Sequence, residues 1–234
     1  MKKIGIVGTG LVGSCFKNLD DFEVVHRDEW TERVLDWAGI VNCCAIAGQK
    51  LCEDAGFDAV NQANVLLPQE MAYCSLNFDI PFITFSTSAV YARPTARNPL
   101  KESAPLYSHN LYAASKIVME GTLPDSAFIF RIPMVITGSG APNDFGQKVK
   151  GWRVVEDVEI SIIYASTIKE AVKRVMMDTE IEPGIYNLAS EAVHLPTFIK
   201  EEYGWEGEVV EADSLNLSPA IVFDTTKAEK AELM

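Results

Sequence analysis

Short apolar runs alternate with stretches of helical periodicity along most of the chain, punctuated by glycine, proline and charged residues. The run Lys3-Ile4-Gly5-Ile6-Val7 predicts a strand, which a glycine turn joins to a helix starting near Leu11. Phe22-Glu23-Val24-Val25 predicts a second strand, residues 30–37 a short helix, and residues 39–45 a buried strand. Helical spacing then runs from 52 to 76. Phe82-Ile83-Thr84-Phe85 predicts a strand that ends on a cluster of hydroxyls, residues 110–123 a helix, and residues 127–135 a further strand. Residues 160–167 lead into a helix reaching Met177, and residues 186–190 predict one more strand. Strands alternating with helices imply an α/β fold with a parallel sheet.

Chemistry enters first at the glycine turn. Gly8-x-Gly10-x-x-Gly13 after a strand and before a helix is the dinucleotide fingerprint of a Rossmann-type doubly wound sheet. Gly8 and Gly10 let the backbone turn and approach a pyrophosphate, the N–H groups of Leu11 and Val12 face the anion, and Gly13 allows tight helix-to-strand packing. The second strand runs into His26-Arg27-Asp28, where such a fold meets the ribose. Asp28 can accept from a 2′-OH and favour NAD, whereas Arg27 or His26 can pair with the 2′-phosphate of NADP. The cofactor is therefore NAD or NADP.

The second site of chemistry is the hydroxyl cluster Ser86-Thr87-Ser88 at the end of a strand, followed by Tyr112 and Lys116. Four residues apart in a helix, the last two project from one face, so the ammonium can approach the phenol and lower its pKa. Thr87 supplies a second hydrogen bond. Together these groups predict an oxidoreductase acid/base site.

At 234 residues and 48% hydrophobic content, the chain is long enough for one α/β unit with an ample core. A net charge of −13 argues against nucleic acid or an anionic membrane as partner. Five cysteines without C-x-x-C spacing predict reduced thiols. With no signal-like or membrane-length apolar segment, a cytoplasmic location is expected. No metal site is read from the sequence.

Thr87-Ser88-Ala89-Val90-Tyr91 followed by Tyr112-x-x-x-Lys116 resembles the extended short-chain dehydrogenases/reductases, the epimerase/dehydratase group that acts on nucleotide sugars. The resemblance implies Thr87, Tyr112 and Lys116 as catalytic residues, with Ser88 as second choice for the hydroxyl. It further implies that Cys44, Ala45 and Ile46 line the dinucleotide, that Asn61 braces the site, and that backbone at Pro133 and Val135 meets the nicotinamide. Relative to the family, the stretch between Asp28 and Gly39 is too short for the usual third strand. Residues of about 138–165 and 190–222 correspond to a small substrate-binding lobe interleaved with the sheet. There Asn143, Lys148 and Arg153, together with Ser88 and Tyr91, are the residues expected at the substrate.

The two residues directly after Thr87 narrow the reaction. Dehydratases of the family carry Asp-Glu there and GDP-fucose synthases a cysteine two residues on, but this chain has Ser88-Ala89. The resemblance leaves an epimerase acting on a sugar nucleotide, favoured here, or an NADPH-dependent reductase of a keto sugar or smaller carbonyl. A non-catalytic dinucleotide sensor or scaffold is the alternative of another class. Family members often dimerise through the helix bearing Tyr-x-x-x-Lys, so the resemblance allows a homodimer through Leu111, Ile117, Val118 and Met119, residues equally suited to packing on the sheet.

Overall fold

The structure, a computed structural model, describes residues 2–92, 98–140, 144–210 and 220–234. Strand β1 (Lys3–Val7) leads through the glycine turn into α1 (Leu11–Ser14), then β2 (Phe22–Val25), α2 (Trp30–Arg33) and β3 (Trp37–Asn42). Next come α3 (Gln49–Ala55), α4 (Phe57–Asn61), α5 (Leu67–Phe78), β4 (Phe82–Thr87) and α6 (Leu111–Thr122). After them stand β5 (Ala127–Ile132), β6 (Met134–Ile136), α7 (Phe145–Lys148), β7 (Val154–Val155) and β8 (Glu159–Tyr164). The remaining elements are α8 (Ala165–Met177), β9 (Gly184–Asn187), β10 (Glu191–His194) and α9 (Leu195–Tyr203), then β11 (Val209–Val210), β12 (Ala220–Ile221) and α10 (Thr226–Lys230).

Six strands form one parallel sheet in the order β2-β1-β3-β4-β5-β9. Because side chains alternate across a strand, neighbours in β4 feed different cores. Ile83 and Phe85 pack with Phe16, Ile168, Val172 and Ala228 on one face; Phe82 packs with Trp30, Met71, Ala72 and Met119 on the other. Helices on both faces make the sheet doubly wound, as expected. On the side of β2, no further strand follows among the described residues, so β2 is the sheet's edge, in agreement with the short connection before β3.

Two boundaries differ from the sequence reading. The helix expected to reach Trp37 stops at Arg33, continues as a 3-10 turn over Val34–Asp36, and gives way to β3 at Trp37 itself. Trp37 is buried because Gly5 on β1 leaves it room: a Cβ at Gly5 would stand 2.0 Å from the indole. The indole N–H donates to Glu23 at 2.8 Å, which fixes the ring. The strand expected over 127–135 breaks at Pro133, which has no N–H for the ladder. Beyond it the chain crosses to another sheet, where β6 and β12 pair parallel with β8, and β10 pairs antiparallel with it. Phe145, Val149, Val154, Leu195, Ile199 and Trp205 build the small core of this layer.

Candidate active site

Gly8 adopts φ 116, left-handed space that favours glycine, and a Cβ there would stand 2.9 Å from the carbonyl carbon of Cys43. At Gly13 a Cβ would lie 1.9 Å from the Gly8 carbonyl oxygen, so α1 sits on β1 at a distance only glycine permits. The first-turn N–H groups of Leu11 and Val12 are left unbonded by the helix itself. Beside this turn lies a cleft of about 190 Å³ lined by Gly8, Thr9 and Gly10, by His26 and Arg27, by Cys43-Cys44-Ala45-Ile46, and by Ala63 and Leu67. Glycine backbone, a turn that a Cβ would fill and small side chains opposite fit a dinucleotide. Gly8, Gly10, Arg27, Cys44, Ala45 and Ile46 thus share one surface. Asp28 is not part of that lining; its carboxylate is held by His26 Nδ1 at 3.0 Å and lies 3.6 Å from Arg27 Nε.

The acid/base set stands at the carboxyl end of β4. Asn110 caps α6 by accepting from the N–H of Ala113 at 2.8 Å, and this places Tyr112 in the first turn. The phenol of Tyr112 hydrogen-bonds to the side chain of Thr87, which also accepts from the N–H of Ala89 at 3.2 Å. Burial pushes the phenol up to about 12 against the lowering effect of the Thr87 bond. Lys116 does not bring it down, contrary to expectation: its amine turns to the sheet and donates to the Phe85 carbonyl at 2.8 Å. Burial lowers Lys116 to about 8, with the neighbouring Glu120 acting in the opposite sense. Tyr112 is therefore protonated, and Lys116 a buried ammonium, at neutral pH.

A residue misassigned from the sequence joins the two halves of the site. Asn61 was expected as the brace, but the helical stretch is interrupted by Gly56 and by a π-type turn over Gln62–Leu66 that brings in Asn64 instead. Fully buried, Asn64 accepts from the N–H of Ile46 at 2.8 Å and donates to the Ile46 carbonyl at 3.1 Å and to Ser115 Oγ at 3.0 Å. Ser115 in turn donates to the Tyr112 carbonyl at 2.8 Å. Asn64 thereby ties the cleft wall to the turn that carries Tyr112. Asn42 acts similarly, bonding Thr84 Oγ1 at 3.0 Å and the N–H of Cys44 at 3.0 Å.

Other expected residues stand elsewhere. Tyr91, expected at the substrate, is buried, and its phenol donates to Asn187 Oδ1 at 2.6 Å and accepts from Arg131 Nη1 at 2.9 Å. Arg153 is exposed, its guanidinium paired with Glu208 at 2.8 Å, and Lys148 is exposed on α7. Neither lines the cleft. Ser88 is half-buried directly after Thr87, and the pairing of Thr87 with Ile132 sets Pro133 beside it, with half-buried Val135 one residue beyond Met134. Asn143 lies outside the described residues. Cys52 is buried and the other four thiols are half-buried, all of them free. Among the described residues no cluster of His, Cys, Asp or Glu could hold a metal ion, and no helix is long and apolar enough to cross a membrane.

Sheet order, glycine turn and cleft together define a dinucleotide-binding Rossmann protein. The chain belongs to the NAD dependent epimerase/dehydratase family, whose sequence model matches residues 10–137, more than half of its length. It is an NAD(P)-dependent enzyme of the extended short-chain dehydrogenase/reductase type. No curated protein matches it by sequence. Among solved structures, dTDP-4-dehydrorhamnose reductase from Bacillus anthracis, in complex with NADP, aligns with a TM-score of 0.79 and 16% identity over 98% of this chain and 93% of that one. The Clostridium acetobutylicum dTDP-4-dehydrorhamnose reductase gives 0.77 and 17% over 97% and 92%. UDP-glucuronic acid 4-epimerase from Bacillus cereus, in complex with NAD, gives 0.70 and 14% over 97% and 91%.

Proposed function

We propose that this enzyme is an NADP(H)-dependent reductase that converts a keto group of a sugar-type substrate to the alcohol. The observation that carries this reading is the Thr87–Tyr112 hydrogen bond with its protonated phenol. With its pKa pushed up to about 12 by burial, the phenol is protonated at neutral pH. Such a group rests in the protonated form from which donation to a carbonyl oxygen starts, whereas an enzyme that begins by oxidising an alcohol needs a base at this position. The epimerase favoured from sequence begins that way, so it is the second reading.

In the proposed reaction the bound dinucleotide supplies hydride to the carbonyl carbon. Tyr112 donates its phenolic proton to the carbonyl oxygen as charge develops there, and Thr87 hydrogen-bonds the same oxygen. Lys116, an ammonium near neutral pH held by the Phe85 carbonyl, would have to swing from that acceptor to reach the phenolate and the nicotinamide ribose when the dinucleotide binds. Gly8, Gly10, Leu11, Val12 and Gly13 would hold the pyrophosphate, and Cys44, Ala45, Ile46, Pro133 and Val135 would flank the cofactor. Arg27, in the cleft lining, favours a 2′-phosphate, while Asp28 is engaged by His26.

The layer built on β8 and α9 would form the substrate lobe, with Ser88 nearest the reacting carbon. In the proposed homodimer α5 and α6 meet a second copy. Tyr73 and Leu76 on α5 and Val118 on α6 are exposed, whereas Met119, expected in that contact, is buried in the core. The experiment is to denature purified protein, identify any released dinucleotide, and titrate stripped protein with NADPH and NADH. An empty site preferring NADPH, with carbonyl reduction abolished in Tyr112→Phe, is the expected result. Stoichiometric NAD carried through purification would instead establish the epimerase.

A further inference from the structure

The catalytic helix carries a third buried ionisable residue that the proposed reaction does not use. Tyr112, Lys116 and Glu120 follow one another at intervals of four on α6, so they form a stripe facing the sheet. The side chain of Glu120 is 3% exposed. It accepts from Arg131 Nε at 3.0 and 3.2 Å and from Nη2 at 2.6 Å, while Arg131 Nη1 donates to Tyr91 and, at 2.8 Å, to the Glu102 carbonyl. Tyr91 passes the chain of bonds to Asn187, whose N–H donates to the Glu102 carboxylate at 2.9 Å. The carboxylate is thus immobilised by a network reaching β5, β9 and the loop before α6.

A buried ammonium is costly unless an opposite charge or hydrogen-bond acceptors offset it. Around Lys116, β4 offers the Phe85 carbonyl, α3 offers Cys52, the end of β3 offers Cys43 and Cys44, and its own helix offers Glu120. Burial holds the three thiols protonated, pushing Cys44 up to about 11. Among the described residues this leaves Glu120, one helical turn on, as the anion whose charge acts on Lys116, with the Arg131 guanidinium of β5 bonded to its carboxylate. We propose that Glu120, clamped by Arg131, is a positioning residue of the active site: its fixed carboxylate keeps Lys116 in the ammonium form that the site requires. The requirement rests on the catalytic reading above, whereas the charge relation between the two side chains does not.

The test tracks the Lys116 proton directly. Protein labelled with ¹³C-lysine is titrated by NMR without dinucleotide or substrate, and the Lys116 Cε signal is identified by its loss in Lys116→Arg. In the unsubstituted protein the midpoint is expected near the value of about 8 given by its surroundings. In Glu120→Gln it is expected to fall by about one pH unit or more, the effect of removing one neighbouring opposite charge. The pair Glu120→Leu with Arg131→Met, which replaces both charges by apolar groups and so leaves no unpaired guanidinium, is expected to lower it likewise. A folded variant whose Lys116 midpoint does not move overturns the proposal. So does failure of both variants to fold, which would make the pair purely structural. Because the readout needs no turnover, an error in the assigned reaction leaves it standing.

Discussion

Alanine at Gly13 and at Gly10, three residues apart in one turn, should have opposite consequences. At Gly13 the new Cβ would stand 1.9 Å from the Gly8 carbonyl oxygen, 2.9 Å from its carbon and 3.3 Å from Cys43 Cβ. The obstructing atoms are backbone. Gly8 cannot retreat easily, since its N–H is bonded to the Val25 carbonyl at 2.9 Å. Helix α1 must therefore lift by more than about 1 Å, loosening Val12, Cys15 and Phe16 from the core they share with Ile4 and Ile6. Overpacking against backbone costs about 3 kcal/mol or more, a large part of the ~5–15 kcal/mol that stabilises such a domain. Gly10 has φ −71 and ψ −162, open to any residue, and a Cβ there meets nothing within 4 Å. Its replacement should change stability by less than about 1 kcal/mol, the loss of a modest N-cap. The added methyl nevertheless projects from the cleft lining, so NADPH affinity should fall about tenfold or more, equivalent to ~1.4 kcal/mol. Urea unfolding followed by tryptophan fluorescence, with the slope checked for constancy, and NADPH titration separate the two effects. Gly13→Ala unfolding at the wild-type urea concentration, or Gly10→Ala proving the less stable of the two, would refute this account of the turn.

Asn64→Leu leaves the N–H of Ile46 without its partner, so stability should drop by about 1–3 kcal/mol and NADPH affinity should fall with it; unchanged binding would remove Asn64 from the cleft wall. Gly5→Ala should destabilise by about 3 kcal/mol through the Trp37 clash, and Trp37→Leu in the same chain should restore part of the loss in urea unfolding. Burial lowers Lys116 from 10.5 to about 8, so between those values the unfolded chain holds a proton that the folded chain has released. The contribution of this group therefore rises with pH, by about 2 kcal/mol between about pH 7 and pH 9.5. Lys116→Met should lack that rise relative to the unsubstituted protein in parallel urea series, and identical pH profiles would contradict the burial of the charge.

The meeting of Thr87 with Tyr112, and the shared helix face of Tyr112 and Lys116, were legible because they depend on local rules: a strand that ends on hydroxyls, and two residues one helical turn apart behind an Asn cap. The glycine turn was legible for the same reason. What escaped the sequence depends on contacts between distant residues. Tyr91 sits in a promising pattern, yet its phenol is claimed by Arg131, 40 residues on, and by Asn187, 96 residues on. Asn61 and Asn64 are three apart in one helical pattern, and only the π-type turn decides which of them faces Ile46. Trp37 reads as the end of an amphipathic helix until Gly5 on another strand makes room for its ring. The direction of the Lys116 amine was set by the Phe85 carbonyl, a backbone acceptor that carries no sequence signal.

The burial of Leu233 has a consequence for how the molecule is made. Its side chain is fully enclosed in the same cluster as Ile4, Ile6 and Phe16, together with Ala228 of α10. The first strand therefore finds part of its apolar cover only in residues translated more than two hundred positions later. During synthesis the nascent β1, β2 and β3 must wait with that face uncovered, and long-range closure of this kind makes for slow folding and a window for aggregation. Chaperone dependence in expression would be rooted in this cluster, which joins residues from the first strand to α10 and Leu233.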